Sequence, residues 1–576
     1  MQKEAILHIP LSNYAYATDE SHLVFRLRAA RGDLKSCALF YGDRAYKTNP
    51  VAFTKESMYL AAQDELFDYF ETEIFSPYAR VCYYFELNDG KESTLYYADI
   101  FTSEHPTERS EYFQLPFNRR EEIFTLPEWT RSAVIYNIFP DSFATGKRYI
   151  SQSATSASIN NQITVGKNGG TILGITENLD YISKLGINCI YLNPIFAARE
   201  YHKYDLLDYF HIDPCFGTNE DFKALVQKCH GMGIRVIIDG VFNHCSWNFF
   251  AFDDVVKKGE KSEYADWFYQ LEFPVIRPDN PDDIPNYSCF AYERKMPKLN
   301  TSNSQVQEYF CKVCQYWLTE YDIDGWRLDV ANEVDHDFWR AFRKAAKSAK
   351  EDSILIGEVW ESAPTWLNGD QFDSTMNYDF RKNCRDFFAL SKLDARAFDG
   401  RVTNMRMRYG KNVTLGQLNL LDSHDVSRFL SLCEGDVRRL KLAVLFQMTF
   451  IGIPSVFYGD EKELQGTTED GYRRPMDWDE SHAKDLFSLY QSTIQLRLKE
   501  TALQIGNFET LDAKQDTGLY LYRRFTANSQ VVVALNASDR TEKLPEKWFL
   551  KQKIALSEGL EAGQLRAWGF AVFTGE

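Results

Sequence analysis

Between residues 131 and 457 the chain repeats one pattern, a short apolar run followed by a longer amphipathic segment. The runs fall at 133–139, 189–192, 235–238, 323–328, 354–356, 374–376, 417–421 and 454–457, with helix-like stretches at 176–185, 221–229, 305–321, 335–349 and 438–450. A strand that is apolar along its whole length has to be buried on both faces, as in a parallel sheet covered by helices. Eight such units predict an α/β fold, a closed (β/α)8 TIM barrel over residues 126–500. Its longest insertion, about 245–300, follows the third strand and is expected to form a small lid domain. Residues 1–125 carry a different period: short alternating runs at 22–27, 37–41, 80–87 and 95–100, with turns such as Asn88-Asp89-Gly90. That pattern predicts an N-terminal β-sandwich. A last helix at 488–499 precedes runs at 518–524, 530–535 and 569–573, which predict a C-terminal β-sandwich over 501–576.

Charge narrows the partners. Lys and Arg total 65 against 82 Asp and Glu, a formal charge of −17, which argues against nucleic acid and anionic membranes, since both are bound through basic patches. The first ten residues show no signal-peptide pattern, and no run approaches the ~18 apolar residues of a membrane span. Eleven cysteines are scattered through the chain, and Cys311 and Cys314 form a lone C-x-x-C in a helical pattern, more a feature of core packing than of zinc or redox work. Reduced thiols in a cytoplasm are expected.

Active sites of such barrels lie where the strands end. The residues found there, in order, are Asn137 and Asp141, Asn193, Asp239 with Asn243 and His244, Arg327 with Asp329, Glu358, Asn377, and His424 with Asp425. Arg327 and Asp329 are two apart and share one face of a strand, an arrangement expected to hold Asp329 ionised well below neutral pH. An isolated pair of this kind is more often a structural ion pair. Its convergence with carboxylates on neighbouring strands favours chemistry instead. Retaining glycoside cleavage needs two carboxyl groups ~5–5.5 Å apart, and adjacent strands ~4.8 Å apart supply that spacing for Asp329 and Glu358. Metal-assisted hydrolysis fits less well, because Arg327 places a fixed cation where a divalent metal would sit and no H-x-H or H-E-x-x-H occurs. A phosphate-directed isomerase would want a Gly-rich cradle, and Gly452-Ile453-Pro454 is a poor one.

Four stretches, Asp239-Gly240-Val241-Phe242-Asn243-His244, Gly325-Trp326-Arg327-Leu328-Asp329, Glu358 after Ile356-Gly357, and Asp422-Ser423-His424-Asp425, resemble in order the four signature regions of the α-amylase family. Val330-Ala331-Asn332-Glu333 and Met296-Pro297-Lys298-Leu299-Asn300 resemble its cyclomaltodextrinase, neopullulanase and maltogenic amylase subgroup. The resemblance implies that Asp329 is the nucleophile, Glu358 the general acid/base and Asp425 a clamp on two sugar hydroxyls. Arg327 would orient Asp329, and His244, His424, His202 and Tyr204 would line the −1 subsite. Asp470 and Arg474 resemble a further substrate-binding pair, and Trp360 an acceptor-side aromatic. The physics requires Glu358 protonated near neutral pH, through burial beside an ionised Asp329.

Relatives often hold calcium after the first strand, in a stretch like N-G-D-x-x-N-D and a later G-G-D. Here Ala144-Thr145-Gly146-Lys147-Arg148 and Gly169-Gly170-Thr171 replace them, two cations among positions where carboxylates would ligate. No calcium is expected there, and no cofactor elsewhere. Ser142 also departs from the arginine usual at that position. The expectation is a cytoplasmic, homodimeric, retaining α-glucan hydrolase that takes cyclodextrins and maltooligosaccharides, with pullulan and starch left open, and some transglycosylation. Two rivals stand beside it: an oligo-1,6-glucosidase or α-glucosidase of the same family, and a non-catalytic glucan-binding or scaffold relative.

Overall fold

The computed structural model describes residues 1–47, 50–106, 108–116, 118–147, 156–548 and 552–575. Arg148, one of the two cations noted above, lies outside them. The chain divides into two compact units, Met1–Thr125 with Ser391–Leu415 and Ile505–Glu576, and Leu126–Leu390 with Gly416–Gln504.

The second unit is built on a closed barrel of eight parallel strands: β1 (Ile135–Ile138), β2 (Cys189–Leu192), β3 (Arg235–Gly240), β4 (Gly325–Leu328), β5 (Ile354–Gly357), β6 (Ser374–Asn377), β7 (Leu418–Leu420) and β8 (Ile453–Phe457). The order is sequential, and pairing of Asn137 with Phe457 closes β1 on β8. Ile135, Cys189, Ile237, Ile354, Ile356, Leu418 and Ile453 fill the interior. The first run overshoots its strand because Ala133, Val134 and Phe139 are buried outside the ladder, so hydrophobicity alone does not mark where pairing stops. Gly325 opens β4 because a Cβ there would lie 2.3 Å from the Ile354 carbonyl oxygen. The covering helices start at side-chain caps: Thr218 with Asp221 in a capping box before Asn219–Gly231, Asn303 before Ser304–Glu320, and Asp335 before His336–Ala349. The segment 176–185 is two helices rather than one, Ile172–Glu177 and Leu179–Leu185, broken at Asn178. After β3 the insertion leaves through His244, carries the helix Phe250–Lys258, and returns where Cys245 donates its N–H to the Pro297 carbonyl at 3.1 Å. Sequence reading missed the hairpin Ser156–Ile159 and Gln162–Val165.

The first unit holds a nine-stranded antiparallel sheet and a six-stranded one. The nine strands enclose Phe25, Leu27, Leu39, Tyr83, Phe85 and Leu87. The run 95–100 splits into Ser93–Tyr97 and Ile100–Thr102 around Ala98 and Asp99, both at positive φ, a tight turn made without the glycine that usually signals one. No helix among the described residues is long and apolar enough to cross a membrane.

Candidate active site

Arg327 organises the strand ends. It is fully buried on β4, opposite Asp239 on β3, and its Nη1 donates to Asp239 Oδ1 (2.9 Å), Asp239 Oδ2 (3.1 Å) and Asp329 Oδ1 (2.8 Å). Its Nη2 lies 2.6 Å from Glu358 Oε1 but is not aligned as a hydrogen bond. Asp329 and Glu358 follow the paired residues Leu328 and Gly357, so the two carboxyl groups leave adjacent strands at the same level. Glu358 Oε2 accepts the Val330 backbone N–H at 2.9 Å. Val330 reaches that position at φ 44°, ψ 44°, a left-handed conformation costly for a β-branched residue, of order 1–3 kcal/mol. Asp329 Oδ2 is buried without a hydrogen-bond partner.

Burial pushes the Asp329 carboxyl well up, and Glu358, Asp239 and Asp425 add to it against the pull of Arg327. The expectation that Arg327 would hold Asp329 ionised well below neutral pH is therefore corrected: one guanidinium is divided among three carboxylates in a desolvated site. Burial also raises Glu358, as expected of a proton donor, over the opposing pull of Arg327. Burial opposes charge on Asp425, but His424, Arg327 and Arg473 outweigh it and hold that carboxyl below the ordinary range.

His424 packs parallel to Tyr204, ring centroids 5.4 Å apart, and its Nε2 lies 2.9 Å from Asp425 Oδ2 and 2.6 Å from the Tyr204 hydroxyl. His244 is buried under Phe290; Nε2 meets the Tyr204 carbonyl at 3.1 Å and Nδ1 meets Asn243 Nδ2 at 3.2 Å, so both ring nitrogens are engaged. Burial lowers it to about 3. His202 accepts the Tyr204 N–H through Nδ1 at 3.0 Å, and burial lowers it to about 4. Trp360 stacks on Tyr378 at 3.9 Å with the planes 7° apart, and is 40% exposed.

Asp470 and Arg474 are not brought into this cluster. Asp470 is 76% exposed and pairs with Lys167, while the Arg474 side chain is exposed. The residues that arrive are their neighbours Glu469 and Arg473. Arg473 Nη2 lies 3.3 Å from Asp425 Oδ1, its Nε donates to the His424 carbonyl at 2.8 Å, and Nη1 pairs with Glu469 and with Tyr201 Oη at 3.1 Å. Both pairs are four residues apart, so spacing could not separate them. Sequence reading also missed Tyr191 and Tyr378. Tyr191 sits in an apolar run, yet it shares a strand face with Asn193 two residues on, a signal that was available.

Two family models match the chain, the α-amylase catalytic domain over residues 137–530 and the α-amylase N-terminal ig-like domain over residues 1–119. The chain is similar to a cyclomaltodextrinase from Geobacillus thermopakistaniensis (strain MAS1), 42% identical over 550 residues, 95% of this chain and 93% of that protein. It is also similar to neopullulanase 2 from Thermoactinomyces vulgaris, 42% identical over 548 residues, 94% and 92% of the two chains. A solved cyclomaltodextrinase structure aligns with a TM-score of 0.91 at 38% identity, covering 100% of both chains.

Proposed function

The chain belongs to the α-amylase family of glycoside hydrolases, and on that premise we propose an α-glucan hydrolase of the cyclomaltodextrinase, neopullulanase and maltogenic amylase type, which cleaves α-1,4-glucosidic bonds in cyclodextrins and maltooligosaccharides with retention and some transfer. The observation that carries it is the level pairing of Asp329 and Glu358 on adjacent strands around Arg327. Adjacent strands set ~4.8 Å between backbones, close to the ~5–5.5 Å between carboxyl groups that retention requires.

Three buried carboxylates, Asp239, Asp329 and Glu358, share one guanidinium, a charge imbalance that favours keeping a proton on one of them. Asp329 has the aligned bond to Arg327 and Glu358 does not, which supports assigning that proton to Glu358. Asp329 Oδ2 attacks the anomeric carbon while Glu358 protonates the departing glycosidic oxygen. Glu358 then takes a proton from the water, or from the sugar acceptor in transfer, that releases the glucosyl unit from Asp329. Asp425, kept anionic by His424 and Arg473, grips hydroxyls of the distorted sugar, with His202, Tyr204 and His244 forming the rest of that wall. Trp360 on Tyr378 offers a flat apolar face to the acceptor side.

Eleven free cysteines support a reducing, cytoplasmic setting. A homodimer is proposed as well: Ile284 and Tyr292 of the lid, 88% and 91% exposed, are apolar side chains for a second copy to cover, and light scattering after size exclusion tests it.

The deciding test is Asp329→Asn and Glu358→Gln. Each should lower turnover of maltooligosaccharides by ~10³-fold or more while the fold is kept. An aryl glucoside whose leaving group needs no proton should restore the first chemical step in the Glu358 variant only. Near wild-type turnover in either variant overturns the assignment. Products from pullulan rank the family rivals, panose for this proposal and glucose alone for an α-glucosidase.

A further inference from the structure

Asn137 and Asn193 lie at strand ends and have no role assigned above, yet both are buried, and Asn193 reaches His424 and Tyr204 of the proposed sugar wall. Their hydrogen bonds have a direction. Asp239, paired with Arg327, accepts two phenol protons on Oδ2, from Tyr191 at 2.7 Å and from Tyr204 at 3.0 Å. A phenol has one proton to give, so both phenol oxygens are left as acceptors. The Tyr191 oxygen accepts Asn193 Nδ2 at 3.1 Å. Asn137 Nδ2 faces the Tyr191 carbonyl at 3.3 Å and meets Asn193 Oδ1 at 3.0 Å. Both contacts turn the Asn193 amide the same way, with its NH₂ 2.9 Å from His424 Nδ1. An amide nitrogen can only donate, so Nδ1 must be the bare nitrogen and the ring proton sits on Nε2. There it points at the Tyr204 oxygen at 2.6 Å, which Asn193 Nδ2 reaches only at 3.4 Å, with the Asp425 carboxylate 2.9 Å away.

We infer that Asn193, held by Asn137 and Tyr191, is a positioning residue that locks His424 as the neutral Nε2–H tautomer, so that the ring turns an N–H, not a lone pair, toward the Tyr204 oxygen and the nearby Asp425 carboxylate. The other tautomer would set a lone pair against both the Asp425 carboxylate and the Tyr204 oxygen. The ring is buried between Phe139 and Tyr204, with centroids 6.0 and 5.4 Å away. The catalytic consequence rests on the proposed role of Asp425 as the sugar clamp; the protonation state itself does not.

Histidine labelled with ¹⁵N in the ring reads both nitrogens in the intact enzyme, and the His424 signals are those absent from His424→Asn. Near neutral pH, Nδ1 should be pyridine-type and Nε2 pyrrole-type. Asn193→Asp keeps the volume and reverses the polarity of the hydrogen bond. It should put a proton on Nδ1, in the Nδ1–H ring or the imidazolium, and lower kcat on a maltooligosaccharide ~10-fold or more with KM changed far less, as expected when an imidazole loses the partner that sets its protonation. A wild-type ring with a proton on Nδ1 overturns the inference, and so does an Asn193→Asp enzyme that carries a proton on Nδ1 with unchanged kcat. If that variant does not fold, the wild-type spectrum decides alone. If the wild type cleaves no α-glucan, the proposed function falls while the spectrum still tests the tautomer.

Discussion

Glu358 is where the site's electrostatics become measurable. Burial pushes its carboxyl up, Arg327 pulls it down, and Asp425 pushes it up again. The alkaline limb of kcat/KM reports loss of the acid's proton. Asp425→Asn removes one of the charges that disfavour ionisation of Glu358, so that limb should move to lower pH. A pH–rate profile on an unactivated maltooligosaccharide checks the sign, and a limb that stays put or moves up would contradict it. A second comparison separates two adjacent arginines. Arg473→Ala breaks charge-assisted bonds to Asp425 and to the His424 carbonyl and should lower kcat/KM by about 10–100-fold, the equivalent of ~1.5–3 kcal/mol. Arg474→Ala, an exposed substitution, should stay within about threefold. The principal carboxylates were legible in the sequence because charge at the end of a buried strand is anomalous. Arg473 was not, because Glu469–Arg473 and Asp470–Arg474 have the same spacing and only the loop's path chooses between them. Tyr191 was hidden because a tyrosine in an apolar run looks like core.

At the other end of β4 one acid fastens three elements. Asp324 is fully buried just before the strand and accepts from Arg235 of β3 (2.7 Å), His230 of the preceding helix (2.8 Å), Lys350 (3.0 Å) and the Val236 N–H (2.8 Å). Burial opposes its charge, but His230, Arg235 and Lys350 outweigh that and hold it at about 2. A folded-state value below the unfolded one stabilises above the unfolded pKa, and the contribution fades as pH falls from about 4 through about 2. The shift corresponds to about 2 kcal/mol, so Asp324→Asn should unfold more easily by roughly that amount near neutral pH. Denaturant titrations of both proteins should show the gap narrowing below about pH 4; a gap that does not depend on pH would contradict the ion-pair account. Sequence reading found all eight barrel strands because each is buried on both faces. It passed over Thr54–Gln63 because only Met58 of its ten residues is buried: Thr54, Lys55, Glu56, Ser57, Tyr59 and Leu60 are exposed on both faces and give no period of two.

For the whole molecule, the serial order of the barrel was legible because parallel strands joined by helices permit few other arrangements. The grouping of residues 391–415 with the two terminal segments was not. The helix Ala395–Met407 has an ordinary amphipathic sequence, and only tertiary bonds reveal its company: Tyr520 donates to Asp399 at 3.0 Å, and Arg26 donates to the Met407 carbonyl at 3.0 Å. Metal dependence is the remaining property at this scale. Relatives' calcium ligands would fall after β1, and calcium needs several free oxygens. Here protein donors already use them. Asp141 accepts the Lys167 and Asn168 N–H groups on its two carboxylate oxygens, both at 2.9 Å, and its carbonyl accepts the Gly170 N–H at 2.8 Å. The Gly169 carbonyl accepts the Thr145 hydroxyl at 2.9 Å, and Glu177 accepts the Lys147 N–H at 3.1 Å. Among the described residues these oxygens already hold protein donors, and Lys147 stands beside them, which argues against calcium at this donor set. Exhaustive chelation should therefore leave both the melting temperature and the hydrolysis rate where they were, and calcium added back should change neither. A drop in either on chelation, reversed by calcium, would show that these oxygens exchange their protein donors for the ion.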